Sequence, residues 1–206
     1  WACKTVPRRH SNMFHGSPNM AHWLRCFALA SLCMCGHAAA ITLELGSEKI
    51  PLWSALQVVG DPSKRHTPAE VEAIVATGNA SRLPHANHAY GTWLPYPYWA
   101  HFTLKNPSPE AQSWWITYEL PTQDEATLWT KNVHKQWVEY SQAEKLRPHA
   151  LSSGQLYPAW RLQLQGHQEV QLLLRIDGYN LMRFPMFAVS DSTFASTQNN
   201  LHLGIG

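Results

Sequence analysis

The chain carries 12 histidines, and His66, His85, His88, His101, His134, His149, His167 and His202 follow Ala40. His85 and His88 stand three apart, a spacing that on a helix lets two imidazoles share a metal ion. Pro84 and Asn87 argue for a loop instead, and no third ligand stands nearby, so loop packing is expected and no metal is assigned. His101 is expected to be a hydrogen-bonded polar residue on the outer face of a strand. Asp124 and Glu125 are neighbours at a strand start. They point to opposite faces and cannot act as acid and base across one bond. Gly-x-Ser-x-Gly, phosphate-loop, dinucleotide and His-Glu-x-x-His motifs do not occur, and Ser152-Ser153-Gly154 reads as a loop. No catalytic residue and no cofactor is assigned.

Aromatic and guanidinium groups are the better candidates for binding. Trp93, Tyr96, Tyr98 and Trp99 crowd one segment, and such rings stack against sugar faces. The alternative is that they fill a core or pin loops. Arg175, Asp177, Tyr179 and Arg183 form a second cluster. Arginine and tyrosine hold carboxylates and hydroxyls in pockets, although a structural Arg–Asp pair explains the same residues. The candidate ligand-binding set is Trp93, Tyr96, Trp99, His101, Arg175, Tyr179 and Arg183.

The elements that position these residues are mostly strands. In Tyr98–Lys105, Trp99, His101, Thr103 and Lys105 alternate with Tyr98, Ala100, Phe102 and Leu104, the pattern of a half-buried strand. Asn106-Pro107-Ser108-Pro109 ends it, because proline lacks the donor and restricts its predecessor. Further strands are predicted at 41–45, 52–59, 113–120, 159–165, 170–177 and 181–189, with a hairpin of 125–130 and 136–140 around Lys131-Asn132. Asp177-Gly178 is a turn signal. Thr67-Pro68-Ala69-Glu70 is a capping box with proline at the first helical position, and Gly78 can stop the short helix, expected to cover one end of the fold. The fold class is mainly β: an antiparallel β-sandwich or jelly roll with one short N-terminal helix.

Composition narrows the function. Lys4, Arg8, Arg9 and Arg25 precede Ala40 and every acidic residue follows it, leaving 12 basic against 14 acidic residues beyond that point. That balance excludes a nucleic-acid partner. All four cysteines, Cys3, Cys26, Cys33 and Cys35, also precede Ala40, so the folded part has neither disulfide nor thiol chemistry. Residues 1–19 read as an upstream, unstructured segment. Within 20–40, a charged start at Met20–Arg25, a short apolar run at Cys26–Cys35 and Ala38-Ala39-Ala40 make the three parts of a signal peptide, its apolar run a helix. Export without disulfides fits a bacterial periplasm. The sandwich is expected over 41–197. Ser192–Asn200 reads as a polar linker, and 198–206 as linker and the start of a truncated transmembrane helix.

Four segments, in this order, resemble one family. They are Val59-Gly60-Asp61-Pro62 leading into Thr67-Pro68-Ala69-Glu70-Val71; Gly91-Thr92 and then Tyr98-Trp99-Ala100-His101-Phe102-Thr103-Leu104-Lys105-Asn106; Leu120 to Leu128; and Pro158 to Asp177. The chain is similar here to the type-two extracellular sensor domain of bacterial seven-transmembrane receptors with diverse intracellular signalling modules (7TMR-DISM). It departs from the family's Tyr-Trp-x-Arg-Phe pattern at His101. The resemblance implies an extracytoplasmic ligand-sensing domain, not itself an enzyme, on the periplasmic side of the inner membrane. It further implies a membrane bundle following Gly206 and a cytoplasmic output domain such as a diguanylate cyclase or histidine kinase. The expected ligand is a small molecule of carbohydrate type, and a homodimer is left open. The alternatives are a secreted jelly-roll carbohydrate-binding module without an anchor, and a sandwich hydrolase whose carboxylates meet only in the fold.

Overall fold

In the computed structural model, residues 40–44, 46–91, 95–120, 125–140, 157–178 and 181–203 are described, the last six for their backbone only. All lie in the unit Gly36–Gly206. The signal peptide, the upstream segment and residues 204–206 of the expected membrane helix fall outside them.

The strands in chain order are β1 Ile41–Thr42, β2 Lys49–Pro51, β3 Gln57–Gly60, β4 Ser81–Arg82, β5 Ala89–Gly91, β6 Tyr98–Lys105, β7 Gln112–Tyr118, β8 Glu125–Lys131, β9 Trp137–Glu139, β10 Ala159–Leu164, β11 Glu169–Asp177, β12 Met182–Arg183 and β13 Met186–Ser190. Among the described residues two α-helices accompany them, α1 Pro68–Ala76 and α2 Asp191–Leu203. The larger sheet runs β4-β3-β6-β11-β8-β9, with β1 added parallel to β6. The smaller sheet runs β10-β7-β13-β2, and β5 pairs with β12 as a separate ribbon. Apart from β1–β6, all pairs are antiparallel.

The two sheets face each other across one apolar layer. Phe102, Leu104, Leu128, Leu172, Leu174 and Ile176 of the larger sheet share a core with Trp114, Ile116, Tyr118, Trp160, Leu162 and Leu164 of the smaller. Period-two alternation places these residues inward. The antiparallel β-rich architecture follows the sequence expectation.

Several particulars differ. Strand β6 is not half-buried: Trp99, His101 and Thr103, on its outer face, are only 1%, 6% and 7% exposed. The cover is α1, which lies on the outer face of β3 and β6 rather than at one end. Its Val71 is fully buried against Val59, Trp99 and Leu173. The segment 52–59 opens with a 3₁₀ turn at Trp53–Ala55 before β3. The stretch 181–189 is two strands, because Pro185 cannot donate to a ladder. β12 turns to β5, and β13 joins the smaller sheet. The polar stretch Ser192–Asn200 is helical, not a linker. Ser190 Oγ accepts from the Thr193 N–H (3.3 Å), which caps α2. No helix among the described residues is long and apolar enough to cross a membrane.

Helix α1 starts as its sequence requires. Thr67 Oγ1 accepts from Glu70 N–H (3.3 Å), and Glu70 Oε2 accepts from Thr67 N–H (2.7 Å). Asp61 prepares that start. Its carboxylate, 1% exposed, accepts from Ser63 Oγ, Arg65 N–H and His66 N–H. Burial opposes its charge, but the hydrogen bonds from Ser63 and His66 N–H hold the carboxyl below its usual range.

Two turns carry the chain between the sheets, and Asn106 joins them. Its fully buried Nδ2 donates to the carbonyls of Glu110 (2.8 Å), Gln165 (3.0 Å) and Leu164 (3.3 Å), and its Oδ1 accepts from Ser108 N–H (3.0 Å). Gly166 lies so close that a Cβ there would sit 1.9 Å from the Pro109 carbonyl oxygen. Asn106→Ala therefore orphans buried backbone groups and is expected to cost about 3 kcal/mol. Gly166→Ala must move the opposing backbone and is expected to destabilise at least as much. Urea denaturation of both variants checks this, and wild-type midpoints would refute the role given to the clasp.

Candidate functional site

The structure divides the sequence candidates between two places. Trp99, His101 and Arg175 lie on the outer face of the larger sheet. Tyr96 and Arg183 lie at one end of the fold. Trp93 and Tyr179 fall outside the described residues, as does Asp124. Glu125 is exposed at a strand start.

At the end of the fold, aromatic rings touch in series. His85 meets His88 edge to face (centroids 5.6 Å), His88 meets Tyr90 (4.9 Å), and Tyr90 meets both Tyr98 (5.3 Å) and Phe184 (5.9 Å). Tyr96 stacks on Tyr98 at 5.3 Å, their hydroxyls 3.3 Å apart. Gly60 makes room for this stack, since a Cβ there would lie 3.2 Å from Tyr96 and 3.3 Å from Tyr98. The β5–β12 ribbon brings exposed Arg183 opposite Ala89, although 94 positions separate the two in sequence. Tyr98 is buried and holds its proton more tightly than free tyrosine, by burial first and by its bond to Tyr96 second. The Tyr90 hydroxyl is buried with no partner among the described residues. The pair His85–His88 is thus an aromatic contact within this series, and the described residues hold no group of three or more potential metal ligands.

The outer face is built in cross-strand rows. His101 of β6 faces Leu173 of β11, which faces Trp129 of β8. One row along, Trp99 faces Arg175, whose guanidinium carbon lies 5.8 Å from the Trp99 ring centroid and which pairs with Asp177 at 2.8 Å. The Arg–Asp pair was one of the two readings open for that cluster. At the other side, Lys131 of β8 faces Trp137 of β9. Both reach α1: Lys131 Nζ and Trp137 Nε1 donate to the Glu72 carboxylate, the indole at 2.8 Å. Glu72 thereby stays below its usual carboxylate range. Burial opposes this, and the bonds from Lys131 and Trp137 outweigh it.

Beneath that latch the polar groups are not satisfied. Trp99 Nε1, Trp129 Nε1 and both ring nitrogens of His101 are buried without a partner among the described residues. His101 was expected to be hydrogen-bonded; it is shut from water and no described side chain replaces the lost hydration. Burial pushes its pKa down to about 4, with the Glu72 charge pulling upward and Lys131 pushing further down. Each such orphan costs about 1–3 kcal/mol. Trp99 and His101 are too deeply buried to form the exposed aromatic platform the sequence suggested.

Sequence reasoning missed Glu72, Trp129, Lys131 and Trp137. The alternation of Trp129 and Lys131 with Leu128 and Thr130 marked a face, but nothing marked Glu72 as its lid contact. It also missed the anchor of α2. Asp191 accepts from Trp115 Nε1 (2.7 Å) and pairs with Arg161, while Phe194 stacks on Trp115 at 3.9 Å.

A family model described as 7TMR-DISM extracellular 2 matches residues 54–190, two thirds of the chain and both of these places. No curated protein matches the chain.

The buried imidazole sets a pH dependence. Unfolded, His101 takes a proton below about pH 6.5; folded, it stays neutral down to about 4. The unfolded state therefore binds more protons in that window, and stability is present above pH 6.5 and lost as pH falls towards 4, by about 3 kcal/mol for this group. His101→Leu is expected to flatten that part of the profile while keeping or raising stability at pH 7.5. Denaturant titrations at several pH values check it; parallel profiles for the two proteins would contradict it.

Proposed function

The chain belongs to the 7TMR-DISM extracellular 2 family, and from that membership we propose that it senses a small carbohydrate outside the cytoplasmic membrane for a transmembrane receptor. The family is one of extracellular sensor domains and not of enzymes. The ligand and the response are the proposed part.

The observation that carries the reading is the half-buried aromatic series His88, Tyr90 and Tyr96 at one end of the fold, with exposed Arg183 on the ribbon that also holds Tyr90. Ring faces pack against the C–H face of a sugar, and a neighbouring guanidinium and hydroxyl supply directed hydrogen bonds. The ribbon β5–β12 holds Tyr90 and Arg183, and the Phe184-Pro185 step leads straight from it into β13 of the smaller sheet. A ligand that fixes the ribbon thus bears on the sheet to which Asp191 and Phe194 pin α2. Binding acts on the receptor only so far as the ligand prefers one arrangement of it. In this reading, membrane spans and an output domain such as a diguanylate cyclase or histidine kinase carry the signal onward.

Calorimetric titration against a panel of mono- and oligosaccharides tests the proposal. Saturable binding of at least one glycan is expected. Tyr96→Ala should weaken it roughly tenfold, about 1.4 kcal/mol, and Arg183→Ala should weaken it in the same direction. A panel without any binder, or a glycan held equally well by both variants, would sink it.

A further inference from the structure

We propose a second ligand site, distinct from the aromatic end, beneath α1: a small carboxylate binds to the outer face of the larger sheet, taking the place of the Glu72 side chain.

The inference starts from the donors. An indole N–H can only donate, so Trp99 and Trp129 each need an acceptor, and none lies within reach among the described residues. A neutral imidazole carries one further donor, and His101 is unpartnered at both nitrogens. Buried polar groups are nearly always paired, and an exception calls for an explanation. Here three side chains fail together on one sheet face. His101 and Trp129 share a cross-strand row with Leu173 between them, and Trp99 stands two residues from His101 on the same strand. Strand spacing puts the ends of the His101–Trp129 row about 10 Å apart, a span that one small molecule lying over Leu173 can bridge.

The ligand's charge follows from the rim. Lys131 and Arg175 flank the patch, their side chains keeping 23% and 25% of their exposure, so the site has a solvent-facing edge. Glu72 shows which anion suits these donors. Its carboxylate already accepts from one ammonium and one indole N–H of the same face, and it is itself 35% exposed, free to swing outward. A ligand carboxylate that accepts from Lys131 and Trp137 while reaching the orphaned Trp99, Trp129 and His101 makes more bonds than Glu72 makes. It also unlatches α1 from the β8–β9 hairpin. A neutral sugar in place of Glu72 would leave the partly buried Lys131 ammonium without its counter-charge.

The test uses the purified chain with succinate and malate as probes, and glucose and inorganic phosphate as controls. Expected is saturable calorimetric binding of succinate or malate. Two-dimensional ¹H–¹⁵N spectra should show downfield movement of the Trp99 and Trp129 indole signals, identified by their loss in Trp99→Phe and Trp129→Phe. Each of these variants should weaken carboxylate binding about fivefold or more, and the smaller ring rather than the lost N–H sets any change in the stability of the ligand-free chain. Glu72→Gln should tighten binding, since the internal competitor loses its charge. Tyr96→Ala should leave it untouched, which separates this site from the aromatic end. Failure of both carboxylates to bind overturns the proposal. So does binding unaffected by the two indole variants, or equal binding of phosphate.

Discussion

Burial of β6 on both faces is the constraint on which the rest of this fold depends. From Tyr98 to Leu104 every residue is shut from water. Its inner face, Tyr98, Ala100, Phe102 and Leu104, is apolar and meets the opposite sheet, as antiparallel sandwiches require. Its outer face carries Trp99 and the polar His101 and Thr103. Helix α1 packs over Trp99 through Val71. The nine residues of α1, started by Thr67 and Glu70 and steered by Asp61, supply Val71 as a plug and Glu72 as a latch, and they leave the imidazole and two indoles without hydrogen-bond partners.

The smaller sheet solves the same problem differently. Its outer face shows Trp115, and α2 covers it. There the indole N–H finds the Asp191 carboxylate, Arg161 pairs with the same carboxylate, and Phe194 closes the stack. Every polar group named in that contact is satisfied, as expected of a contact whose work is structural. The contrast gives the unsatisfied face its meaning. A domain that tolerates several orphaned donors under one helix, when a neighbouring helix shows that full satisfaction is attainable, carries a local conflict of the kind concentrated at functional sites.

His101 sharpens the point. The family resemblance expects arginine where this chain has histidine. Glu72 lies close enough to His101 for its charge to be felt there, yet its carboxylate is held by Lys131 and Trp137. Exchanging a permanent cation for a neutral imidazole removes a charge from the layer between sheet and helix and leaves Lys131 as the ammonium facing Glu72. The hairpin β8–β9 thereby becomes the tie between α1 and the sheet.

The sequence by itself determined the elements whose cause is local. Period-two alternation marked β6, β7, β10 and β11, the capping box marked α1, and Asn106-Pro107 marked the end of β6, because alternation, capping and proline stereochemistry act within a few residues. It also offered candidate residues for binding, but as two runs along the chain. Only the tertiary structure decided how they are grouped. Antiparallel register set Trp99 against Arg175, and the β5–β12 ribbon set Arg183 opposite Ala89. The inside–outside alternation of a strand sent Tyr98 and Trp99, neighbours in sequence, to opposite sides of the sheet. Helix α2 was illegible because its composition is mostly polar, and among its described side chains Phe194 is the apolar anchor. The lid over His101 was illegible because burial belongs to whatever packs above a residue, and here that is a helix some thirty positions upstream, which no local pattern around His101 records.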